Sequence, residues 1–62
     1  MDDYDKAIAL NPNDALAYNN RGVAYSNKGE VNRAIADYRK ALEIDPYYST
    51  PKNNLKRLGV SL

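Results

Sequence analysis

Residues near the start of the chain return at a constant interval of 34. Tyr4, Lys6, Ala7 and Pro12 come back as Tyr38, Lys40, Ala41 and Pro46, and Asn19 and Asn20 come back as Asn53 and Asn54. A fixed period of this length marks a solenoid of stacked helix pairs, in which each pair buries its apolar face against the next. With 62 residues the chain holds less than two periods. A unit that small hides only about 60% of its unfolded surface, so every large buried side chain counts heavily.

Local signals set the helices. Asp2–Leu10 places Tyr4, Ala7 and Ile8 at helical spacing, with Leu10 closing the apolar set. Asn11-Pro12-Asn13-Asp14 breaks that helix, and Asp14 or Asn13 can cap the next one. A second helix over Ala15–Asn27 ends at Lys28-Gly29, where glycine can take the left-handed conformation. A third, over Glu30–Ile44, carries Val31, Ala34, Ile35, Tyr38, Ala41 and Leu42 on its apolar face and stops at Asp45-Pro46. Ser49 or Thr50 is expected to cap the last helix, with Pro51 at its first position, Leu55 and Leu58 on one side and Gly59 at its end. Short connections force neighbours antiparallel, and no segment alternates long enough for a strand. The expected fold is all-α: about four helices in antiparallel helix-turn-helix repeats.

Small and large residues then match. Gly22, Ala34 and Ala41 are positions where bulk would push helix axes apart, and Tyr18, Tyr25 and Tyr38 supply the volume to fill the gap. A buried aromatic removes roughly 150–250 Å² from water, so three of them dominate so small a unit. With Pro46, this set resembles the tetratricopeptide repeat family, whose signature runs large–Gly–Tyr in one helix and Ala–aromatic–Ala–Pro in the next. The resemblance implies one domain over 1–62: the second helix of a partial repeat in 1–14, a complete repeat in 15–48, and a terminal or capping helix in 49–62. Arg21 stands where leucine is usual and Val31 where an aromatic is common. Arg21 is expected to lay its stem on the core and keep its charge in water.

At 100° per residue, Leu16, Asn19, Asn20, Val23 and Asn27 fall opposite the tyrosines of their helix. The resemblance implies that this face lines a concave groove for a partner peptide or protein, continued by Thr50, Asn53, Asn54 and Arg57. Amides both donate and accept, which suits them to gripping an extended backbone. The alternative is a merely solvated face. Some family members clamp the acidic C-termini of chaperones. Asn20 matches the clamp asparagine, but Thr50 and Asn54 stand where basic residues are needed, so that reading finds no support.

Other functions fit poorly. The chain has neither cysteine nor histidine, which removes thiolate chemistry, the commonest metal ligand and the commonest general base. No phosphate loop or acid–nucleophile pairing exists, Asp3, Asp5, Asp37, Glu43 and Asp45 fall on polar faces or caps, and no catalytic, cofactor or metal site is expected. Lys52, Lys56 and Arg57, with Tyr47 and Tyr48 for stacking, make too thin a patch to argue for nucleic acid. No stretch reads as a signal peptide or membrane span, and a cytoplasmic location is the default expectation.

The ends differ in charge. Asp2, Asp3, Asp5 and Asp14 against Lys6 leave −3 over residues 1–14, whereas Lys52, Lys56 and Arg57 give +3 over 49–62. Helix-dipole tuning explains the first cluster. A second reading is self-association: Tyr4, Ile8 and Leu10 lack a hairpin mate, as do Leu55, Leu58 and Leu62, with Lys56 beside them. Ends that complete one another would give a homodimer or a head-to-tail oligomer. Whether the chain is a short gene product or a piece of a longer array stays open.

Overall fold

The computed structural model describes residues 2–61. Four helices follow one another: α1 (Asp2–Leu10), α2 (Ala15–Asn27), α3 (Val31–Ile44) and α4 (Ser49–Arg57). No strand occurs among the described residues. α2 is the hub, packing against α1, α3 and α4, while α4 also packs on α3. The Cα extents are 31 × 26 × 13 Å. A short dimension of that size fits two helix layers with axes about 9 Å apart.

The 34-residue period is visible in the connections. In the first, the Asp14 amide donates to the Asn11 carbonyl at 3.1 Å and the Asn13 amide to Asn11 Oδ1 at 3.2 Å. In the second, Tyr48 donates to the Asp45 carbonyl and Tyr47 to Asp45 Oδ1, each at 3.2 Å. Both are tight turns with proline at the second position, where its fixed φ is already correct. Pro46 is exposed, so its contribution is to this turn and not to packing between helices.

Helix ends follow the same economy. Asp14 caps α2 by accepting from the Ala17 amide at 3.2 Å. At the other end Gly29 has φ +82°, the Gly29 amide donates to the Ser26 carbonyl, and the Glu30 amide donates to Tyr25. α4 ends identically: Gly59 has φ +84°, Gly59 donates to Lys56, and Val60 donates to Leu55. These are Schellman closures, which only glycine enters without strain. α3 begins one residue later than expected, at Val31, with Glu30 as an N-cap that makes no side-chain capping bond.

α4 departs from expectation at its start. Its N-cap is Tyr48, and Ser49, Thr50 and Pro51 are its first three residues, so neither hydroxyl residue caps it. The preceding turn feeds the chain straight into helix. Proline is tolerated third in line because that amide has no partner within the helix anyway.

The core lies between α2, α3 and α4. Ala34, Tyr38 and Leu55 form its buried centre, with Tyr25, Ile35, Leu42, Leu58 and Val60 packed around them. Gly22 is buried against the Tyr38 ring: a Cβ at Gly22 would lie 2.7 Å from Tyr38 Cε1 and 2.9 Å from Cδ1. Nothing but hydrogen fits there. Ala41 is also fully buried.

Candidate functional site

Leu16, Asn20, Val23 and Asn27 recur at intervals of four, three and four along α2, which puts them in one stripe. Leu16 is 57% and Val23 37% exposed, Asn27 is exposed and Asn20 half-buried. One period later, α4 offers exposed Thr50, half-buried Asn54 and exposed Arg57. Leu16 and Val23 are thus two apolar contacts set among amides and one cation. Among the described residues the chain encloses no pocket, and the stripe is open surface.

Asn19 is not part of that surface. It is only 3% exposed, and its Oδ1 accepts a 3.2 Å hydrogen bond from Asn54 Nδ2. Asn53, its counterpart one period on, is exposed because no described helix lies beyond α4. The same residue type is a packing amide in one helix and a solvated one in the next. The bond also fixes Asn54, which orients the α4 side of the stripe relative to Asn20.

Behind the stripe, Arg21 ties three helices together. Its Nε and Nη2 donate to the two carboxylate oxygens of Asp37 in α3, both at 2.8 Å. Its Nη1 donates to Asp5 in α1 at 3.0 Å. The guanidinium carbon lies 5.5 Å from the Tyr18 ring centroid and 5.7 Å from that of Tyr25. The hydrogen bonds that Arg21 donates to Asp37 and, after some loss to burial, to Asp5 raise its pKa further. The expected solvated charge is therefore corrected: Arg21 is a paired cation between two rings. Asp37, expected on a polar face, is 5% exposed and doubly hydrogen-bonded. Sequence reasoning missed this pair. An arginine in place of leucine was the available signal, because an apolar-position cation calls for a buried acid.

Gly22, Ala34, Tyr38 and Ala41 are buried, and Tyr18 and Tyr25 half-buried beside Arg21. The self-association set divides. Tyr4 and Ile8 are half-buried and Leu10 is 88% exposed, but Leu55 is completely buried and Leu58 packs on the core. Leu55 of α4 and Leu58 just after it are consumed by the core around Ala34 and Tyr38 of their own chain. Lys56 and Arg57 are exposed, Tyr47 is 92% exposed, and Leu62 lies outside the described residues.

No group of three potential metal ligands occurs among the described residues, and no described helix is long and apolar enough to cross a membrane.

Comparison with known proteins gives a consistent picture. The chain is 39% identical over 46 residues to Hsp70-Hsp90 organizing protein 3 of Arabidopsis thaliana, covering 74% of this chain and 8% of that protein. It is 40% identical over 52 residues to small glutamine-rich tetratricopeptide repeat-containing protein 2 of Mycosarcoma maydis, covering 84% and 15%. To the peroxisomal targeting signal receptor of Saccharomyces cerevisiae it is 33% identical over 55 residues, covering 89% and 9%. The chain thus spans 15% or less of the length of these relatives. No solved structure matches it at comparable stringency. The tetratricopeptide repeat model matches residues 15–48, the stretch in which Gly22 nests on Tyr38 and Arg21 grips Asp37. Because that match covers more than half of the sequence, the chain belongs to the tetratricopeptide repeat family.

Proposed function

We propose that this chain is a protein-interaction module that holds an extended segment of a partner across the α2–α4 face. The observation that carries this reading is the stripe of exposed Leu16, Val23 and Asn27 with half-buried Asn20, continued by exposed Thr50 and Arg57 and half-buried Asn54. Leu16 and Val23 leave 57% and 37% of their surface open, area that a partner segment would cover. The flanking amides supply donors and acceptors for a peptide backbone, and Arg57 favours an acidic or carboxylate-bearing segment. Two of the relatives are named for the proteins they organise or the targeting signal they receive, which agrees with a binding role. The reading involves no catalysis, cofactor or nucleic acid, and it places the work in the cytoplasm.

Selection from a displayed library of random peptides tests it. Peptides that bind the chain should lose affinity about tenfold or more on Val23→Glu, and less on Asn20→Ala, with helicity by circular dichroism unchanged. Selected peptides that bind both variants as well as the parent would place the site elsewhere. Pairing of chain ends through α4 is not advanced, because Leu55 and Leu58 are already covered within the chain.

A further inference from the structure

One buried ring ends in a polar group that the fold leaves without a partner. Tyr38 is 2% exposed, and its hydroxyl makes no hydrogen bond among the described residues. Yet none of the described side-chain oxygens and nitrogens is both sealed from the surface and unpaired, so the hydroxyl opens outward. Its place follows from its ring. Cε1 and Cζ lie 2.7 and 3.2 Å from where a Gly22 Cβ would stand, and the ring shares the buried core with Leu55 of α4. The hydroxyl therefore emerges at the seam between α2 and α4, which the Asn19–Asn54 hydrogen bond also crosses.

Arg57 is the cation of that seam. It is exposed and makes no ion pair among the described residues. Burial raises the Tyr38 pKa and the Arg57 charge lowers it, so the guanidinium stands close enough to act on the hydroxyl. Asp37, next to Tyr38 in the chain, is held twice by Arg21 and does not compete for Arg57. An exposed arginine alone would mean little, since surface charges are common and weak. A tyrosine in the core is different: phenylalanine fills the same space on Gly22 without burying a hydroxyl.

We propose that the Tyr38 hydroxyl and Arg57 together form a carboxylate subsite of the α2–α4 stripe; this rests on the binding reading above and adds a residue and a ligand group to it. The phenol donates one hydrogen and the guanidinium several, and neither is spent within the chain. The carboxylate is that of an aspartate or glutamate within the bound segment. Asn53, one turn before Arg57 on the same side of α4, is exposed as well, so the surface continues past the cation instead of stopping there. Val23 follows Gly22 directly in α2, which puts an apolar contact close to the acid.

Peptides selected from the random library supply the test. Each is made with an amidated C-terminus, once with its acidic residue and once with the matching amide, and titrated by fluorescence anisotropy. The parent should prefer the acid form about tenfold. Arg57→Gln should erase that preference, and Tyr38→Phe, which keeps the ring on Gly22, should reduce it about fivefold. A merely structural hydroxyl would change both affinities together; an unaltered ratio in Tyr38→Phe therefore overturns the proposal. Selected peptides that lack an acid, or that bind only with a free C-terminal carboxylate, overturn it too. The stripe itself answers to another measurement. A library without binders, or binders indifferent to Val23→Glu, would remove the binding reading and this subsite with it, whereas peptides lost on Val23→Glu but blind to Tyr38→Phe would remove the subsite alone.

Discussion

At the scale of single residues, Arg21 carries more of this molecule than its polar character suggests. Replacing it by methionine keeps the stem on Tyr18 and Tyr25 but strands Asp37, whose side chain is 7% exposed. Leaving a buried charge without its partner costs about 3 kcal/mol. A chain of this length has a total stability of only about 3–9 kcal/mol. Arg21→Met is therefore expected to lose most of its helicity at 37 °C, with Asp37→Asn less severe because the amide still accepts one bond. A denaturant titration followed by circular dichroism checks both. Tyr38 makes a separate prediction. Burial raises its pKa, with Arg57 opposing and Asp37 reinforcing the shift. An unfolded tyrosine loses its proton near pH 10, before the folded one does. Above that pH the unfolded state binds fewer protons, so stability falls as pH rises. Tyr38→Phe should flatten the drop in denaturant midpoint between about pH 9 and pH 11.

Among the elements, the caps account for the near identity of the two glycine closures. Gly59→Ala forces a side chain to φ +84° and loosens the Val60 contact that seals Leu55. The expected loss is about 1 kcal/mol, read as a lower midpoint with unchanged slope on denaturation. Gly29→Ala, at φ +82°, should cost a similar amount. Both closures were legible in the sequence, as were the bounds of α1 and α2, because glycine, proline and an N-cap aspartate act within a few residues of themselves. α4 was placed two residues late because a hydroxyl followed by proline imitates a cap. The contacts that define the site were less legible. Arg21 finds Asp37 across 16 residues and Asn19 finds Asn54 across 35, and no local pattern encodes a partner at that distance. Periodicity placed the stripe of Leu16, Asn20, Val23 and Asn27 but said nothing about which amide faces a neighbouring helix.

For the molecule as a whole, the proposed binding surface depends on a slab held by very few contacts. α2 must lie close to α3 for Arg21 to reach Asp37 and for α4 to reach back to Asn19. That closeness rests on Gly22, where a Cβ would stand 2.7 Å from a ring that is itself 2% exposed and has no room to retreat. Alanine is the better helix former by about 1 kcal/mol, so on local preference alone a larger residue at Gly22 would stabilise the chain. Overpacking a filled core works against it by about 1–3 kcal/mol. The two effects oppose each other in sign, and side-chain size decides which prevails. The most direct measurement is the thermal unfolding of Gly22→Leu beside the parent. Leucine should lower the melting temperature by about 10 °C or leave no cooperative transition; a variant that melts with or above its parent would contradict the nesting of glycine on Tyr38.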